Sequence, residues 1–169
     1  MAKDRKLRPK ALSSRNVLTN SPWTFVSLWL KRNRKPAAAL FYWEQANEFY
    51  KASVGLPPRS APLLLYYCFM NATKALLVAK GVPLPVPEVH GISAYPKIVP
   101  GKKRRFSNEG VRIHKQGILP SLAQYYKEAE TSREHSLQEL FFNMVFIHRT
   151  YCLTYTSQKE MFLPLANCS

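Results

Sequence analysis

The chain is poor in the residues on which cysteine-stapled folds and many enzyme sites depend. Its 169 residues hold three cysteines, Cys68, Cys152 and Cys168, with 83 and 15 residues between successive members. That spacing gives neither a C-x-x-C pair nor an even disulfide framework, and it reads as reduced thiols in a cytoplasmic protein. Glycine is scarce at six, and no phosphate-cradling glycine loop, G-x-S-x-G or H-E-x-x-H is present. No cofactor or metal is therefore expected, and no catalytic residue is assigned. Acids are few as well. Ten Asp and Glu stand against 25 Lys and Arg, a formal charge of +15 that suits a polyanionic partner such as RNA or DNA, or an acidic membrane surface. What the chain does have is apolar content, 46% of residues, enough for the core of one domain.

The cations come first. Residues 1–20 carry Lys3, Arg5, Lys6, Arg8, Lys10 and Arg15 against Asp4 alone and show little apolar periodicity, as in a flexible basic arm. The apolar patch from Trp23 to Leu30 has basic residues on both sides and no small-residue cleavage site behind it, which argues against a secretory signal, although an organellar transit peptide would share the basic, Ser-containing character. Ser21 and Pro22 predict the start of a short helix there, with Ser21 as cap. The same patch could serve as the interface of a homodimer or a protein partner.

Pro36 opens a second helix in which Ala39, Tyr42, Trp43, Ala46, Phe49 and Tyr50 share one face, to about Ala52, with Glu44, Glu48 and Lys51 on a solvated face. Gly55, Pro57 and Pro58 end it. A third helix follows from about 61 to 79, apolar around most of its circumference and so expected to be covered on several sides. It is nearly long enough to span a bilayer, but a mid-helix lysine such as Lys74 costs about 2.5 to 3.5 kcal/mol on insertion, so a buried helix and no transmembrane segment are expected.

Five prolines, Pro83, Pro85, Pro87, Pro96 and Pro100, predict an extended loop from Gly81 to Gly101. Lys103–Phe106 and Val111–Ile113 flank Asn108-Glu109-Gly110, a hairpin signal, and Lys115-Gln116-Gly117 adds a second turn, giving a small basic meander near 102–119. A short helix from Pro120 to Ala129 and an amphipathic one over 136–150, opened by a Ser136/Glu139 capping box, complete the chain.

Four groups of residues could carry chemistry. His90, beside Gly91, either anchors the long loop by hydrogen bonds or holds a ligand phosphate. Lys102, Lys103, Arg104 and Arg105, with Lys97, Arg112, His114 and Lys115 nearby, concentrate charge around Phe106, so that cations could meet phosphates while an aromatic stacks on a base; the plain alternative is a charged edge that resists aggregation. His148 and Cys152 stand four apart, a spacing that aims both at one point, yet two ligands do not make a zinc site. Cys68, inside the apolar helix, reads as a packed residue.

Pro62 to Tyr67, Lys74-Ala75-Leu76-Leu77, His90-Gly91-Ile92-Ser93 and Val111 to Ile118 together resemble the YaaC-like family of bacterial proteins. The resemblance covers most of the chain from about Trp23 onward, and family members are roughly twice as long, which implies that residues 21–169 are the N-terminal half of a longer architecture. Tyr66, Tyr67, Phe69 or Met70, Lys74 to Leu77, Gly81, His90 and Gly91 are also similar to the core pattern of the HEPN superfamily, implying a mainly α, HEPN-like helical bundle with a basic β-hairpin or meander insertion. Many HEPN proteins are dimeric ribonucleases that use an Arg and a His separated by four to six residues. Here Arg112 and His114, and Arg133 and His135, are too close, and His148 precedes Arg149. The expected function is a non-catalytic interaction module that binds a polyanion such as nucleic acid. The alternatives are a HEPN-type ribonuclease or toxin-like protein whose catalytic residues are degenerate or supplied elsewhere, and a structural dimerisation module.

Overall fold

A computed structural model describes residues 19–96, 106–128, 133–155 and 160–161. The chain divides into two compact units, Met1–Pro83 and Leu84–Ser169.

Three helices build the described part of the first unit: α1 (Pro22–Arg32), α2 (Ala37–Ser53) and α3 (Ala61–Ala79). The predicted start of α1 is found, with Pro22 at the first helical position and the Ser21 hydroxyl accepting from the Thr24 backbone N–H. Lys31 and Arg32 occupy its last turn, where cations complement the helix dipole. Leu30, Ala39 and Ala79 are buried together, with Val26, Leu40, Trp43 and Val78 packed against them. Fully buried alanines at Ala39 and Ala46 leave room for the neighbouring helix backbone to approach. Trp43 adds direction to this packing, since its indole Nε1–H donates to the Trp23 carbonyl at 2.9 Å while the two rings lie 4.6 Å apart.

α3 packs along α2, with Phe49 stacked on Tyr67 at 5.3 Å and the Lys74 ammonium 5.1 Å from the Tyr42 ring centroid. That cation–π contact gives the mid-helix lysine a favourable neighbour. Cys68, Asn71, Ala75, Leu77 and Ala79 are buried, but Leu63 and Phe69 keep 61% and 71% of their surface. These two side chains thus lie outside the cover that the helix's apolar circumference suggested on several sides. Among the described residues α3 is the helix long and apolar enough, by length and composition, to cross a membrane.

The second unit has a three-stranded antiparallel sheet in the order β1 (Ile92–Pro96), β2 (Glu109–Ile113), β3 (Glu134–Ser136), with α4 (Ile118–Tyr126) between β2 and β3 in sequence and α5 (Leu137–Phe142) and α6 (Val145–Thr154) after them. Ile92 pairs with Ile113 and Pro96 with Glu109, while Arg112 pairs with Glu134. The sheet corrects two expectations. The Gly81–Gly101 stretch contains a strand, because Pro96 sits at the end of an edge strand, where a missing donor costs little. Val111–Ile113 lie in β2, which pairs with β1 on one side and β3 on the other, and Glu109-Gly110 belong to β2 instead of the turn, while Lys103–Arg105 of the expected hairpin lie outside the described residues.

Two helix boundaries also differ from expectation. α4 begins at Ile118 and takes Pro120 inside its first turn, where no intrahelical donor is needed. The helix over 136–150 is interrupted. Ser136 caps α5 as expected, its hydroxyl accepting from the Glu139 N–H at 3.1 Å, but Asn143 then closes the helix by donating its side-chain amide to the Glu139 carbonyl at 2.9 Å. Met144 adopts an extended backbone and caps α6.

Candidate functional site

The sheet brings some of the sequence-predicted residues together and separates others. Five residues of β2 span about 17 Å, with Arg112 within that length and His114 and Lys115 just past it. Lys97, Lys102, Lys103, Arg104 and Arg105 lie outside the described residues, but the chain leaves β1 at Pro96 and enters β2 at Glu109, and these two residues are paired. Both ends of the basic stretch are thus held at one end of the sheet. His114 and Lys115 emerge exposed at the other end, beyond Ile113.

Arg112 sits between them on the solvent side. Its guanidinium lies 4.5 Å from the Tyr95 ring centroid and donates from Nη2 and Nε to Glu134 Oε1 at 2.8 and 3.1 Å. The hydrogen bond that Arg112 donates to Glu134 is the main cause that raises the Arg112 pKa further above its already high value. Tyr95, Arg112 and Glu134 therefore form a row across three strands, aromatic, cation and carboxylate. Neither Tyr95 nor Glu134 was singled out by the sequence reading. The signal available for both was the alternation that places every second strand residue on one face, but it could be used only once the strand partners were known. Beside this row a small depression of about 20 Å³ is lined by Tyr95, Asn108, Gly110, Glu134, His135 and Ser136.

At the far end, the His90-Gly91 loop docks onto the turn before α4. The His114 N–H donates to the Gly91 carbonyl at 2.7 Å, the Ile118 N–H to Val89 at 3.0 Å and the Leu119 N–H to His90 at 3.1 Å. The first backbone donors of α4, which at many helix starts are open to anions, are here occupied by the loop's own carbonyls. Gly91 and Gly117 have φ of 82° and 142°, and a side chain on either would collide with backbone or with Pro120. Two of the segments that carry the family resemblance thus meet backbone to backbone. The His90 side chain stands exposed at this junction.

His148 and Cys152 are buried on α6 with Cys152 Sγ 3.6 Å from Nε2. The Met161 N–H donates to His148 Nε2 at 2.7 Å, which leaves the proton on Nδ1, 2.5 Å from the Phe142 carbonyl. The ring bridges backbone groups, and among the described residues no group of three or more His, Cys, Asp or Glu side chains is gathered for a metal. Burial raises the Cys68 thiol pKa, which disfavours the thiolate needed for nucleophilic chemistry. Glu44 and Glu48 are exposed on α2.

These features define a mainly helical protein with a small antiparallel sheet, a cation-bearing sheet face and a glycine-packed loop junction. Residues 10–168 match the family described as YaaC-like Protein, and the chain belongs to that family. No curated protein matches the chain. No solved structure matches it either.

Proposed function

We propose that this chain is a non-catalytic, cytoplasmic interaction module that binds single-stranded nucleic acid across the exposed face of its sheet. The observation that carries the reading is the Tyr95–Arg112 pair, an aromatic ring and a guanidinium plane on adjacent strands, flanked in the chain by Lys97 and Lys102–Arg105 at one end and by His114 and Lys115 at the other. Flat groups of this kind accept a base by stacking, worth about 1 to 3 kcal/mol per base, while cations at both ends track the phosphates. Glu134 tunes the site, since it neutralises part of the Arg112 charge until a phosphate competes for it.

The α2–α3 pair with α1 packed on α2 supports a HEPN-like description of the first unit. The absence from the sequence of an Arg and a His four to six residues apart favours binding over RNA cleavage. The basic arm of residues 1–20 would add a second electrostatic contact on the same strand.

Fluorescence anisotropy with labelled single-stranded RNA, single-stranded DNA and duplex DNA at two salt concentrations tests the proposal. Binding should weaken with salt by a logarithmic slope of about 0.7 per phosphate contacted on single strands. Replacing Lys103, Arg104 and Arg105 together by Ala should reduce it. Unchanged affinity in that variant, or no binding at low salt, would refute the reading.

A further inference from the structure

The sheet face leaves one unusual surface unused. α1 turns Trp23, Val26, Ser27 and Leu30 inward, yet its opposite stripe is also apolar: Phe25, Leu28 and Trp29 retain 48%, 37% and 37% of their surface. Positions 25, 28, 29 and 32 fall within about one third of the helix circumference, so Arg32 continues the same stripe. Lys35, just past the helix, holds its ammonium 5.8 Å from the Trp29 ring centroid. Lys31 and Arg34 are exposed beside them. Between Asp4 and Glu44 the chain has nine Lys and Arg and no acid.

We propose that α1 is an interfacial docking helix for an anionic phospholipid surface. It would lie in the plane of the headgroups, with Phe25, Leu28 and Trp29 in the acyl boundary and Lys31, Arg32, Arg34 and Lys35 at the lipid phosphates. An exposed aromatic and aliphatic stripe needs an apolar medium, and a cation cluster free of acids needs a negative one. A bilayer surface supplies both within a few ångströms, with tryptophan at the depth it prefers. A nucleic acid would satisfy the cations and leave Leu28 in water. A second copy of the chain would bring Lys31, Arg32, Arg34 and Lys35 against their own kind. The inward face of α1 is packed on α2, so docking requires no unfolding.

The test is co-sedimentation of the full chain with phosphatidylcholine vesicles, with and without phosphatidylglycerol, alongside the Trp29 contribution to emission obtained by difference from Trp29→Phe. The expected result is binding to the anionic vesicles with a blue shift of Trp29. The triple replacement Phe25→Ser, Leu28→Ser and Trp29→Ser preserves the charge and should weaken binding more than about tenfold. Each of Lys31→Gln and Arg34→Gln should weaken it about fivefold. Leu28→Ser alone serves as the readout should the triple variant lose its helical circular dichroism, and a clear loss of vesicle binding is expected there too. Vesicle binding unchanged by removal of the stripe would overturn the proposal and leave only diffuse charge. So would failure to bind anionic vesicles, or a dimer of the full chain that Leu28→Ser converts to a monomer.

Discussion

The backbone of Gly91 packs directly against that of Gly117, and neither position has room for a β-carbon. Gly91 closes the loop before β1 and Gly117 opens α4, so the contact binds one family motif to another. Gly91→Ala and Gly117→Ala should each destabilise the protein by roughly 2 to 4 kcal/mol, because backbone strain and a backbone clash act together. Urea unfolding followed by circular dichroism provides the measurement, and a loss below about 0.5 kcal/mol would contradict the close packing.

Arg112 is shared between Glu134 and solvent, with 47% and 38% of the two side chains exposed. An ion pair at that exposure contributes about 0 to 1 kcal/mol. Glu134→Gln should therefore change stability little while strengthening RNA binding by roughly two- to fivefold, as one repelling charge is removed from the proposed phosphate path. Arg112→Ala should weaken binding. Anisotropy titrations of both variants in one buffer would check the opposite signs.

Cys68 and Tyr66 sit on the same helix, and burial is the main cause that raises both pKa values, with Tyr67 adding to the shift at Tyr66. A raised pKa means that the folded state holds the proton more tightly than the unfolded chain does. Their contribution is complete below the unfolded values and is lost as pH rises through the folded ones, so stability should decline above about pH 8.5 for the thiol and about pH 10 for the phenol. Urea midpoints at neutral and alkaline pH test the sign. In the same way, Cys68 should react with a thiol reagent more slowly in the folded protein than in denaturant.

His148 joins the end of α5 to the segment at Met161 through two backbone hydrogen bonds and has no exposed surface. His148→Leu keeps an apolar side chain in the site but leaves the Phe142 carbonyl and Met161 N–H without this partner, at a cost of about 2 to 4 kcal/mol. Nitrogen NMR should identify the Nδ1–H tautomer. An Nε2–H ring would mean that Met161 is not its donor.

Much of the helical frame was legible because its signals are local. Ser21-Pro22, Pro36, the glycine and prolines after α2, and Ser136 with Glu139 each act within one turn, and α1, α2, α3 and the cap of α5 lie where those residues place them. The sheet was less legible because pairing Ile92–Pro96 with Glu109–Ile113 is a long-range choice, and two prolines near β1 disguise an edge strand as loop. The break after Phe142 depended on tertiary structure as well. Interrupting the helix turns the Phe142 carbonyl toward His148, a reward invisible to periodicity. At the candidate site, Arg112 and the two basic clusters could be read from charge, but Tyr95 and Glu134 acquire meaning only through the register.

The ladder from Ile92–Ile113 to Pro96–Glu109, together with the bond from His114 to Gly91, has a consequence for how sequences of this kind can vary. It closes a ring at the two ends of the basic stretch between Pro96 and Phe106, and the ladder supplies bonds that hold the ring shut. Doubling such a stretch raises the entropy of closure by only about 0.6 kcal/mol. Relatives could therefore lengthen, shorten or recharge this segment with little effect on folding, and the reach of its cations could change independently of the scaffold that carries them.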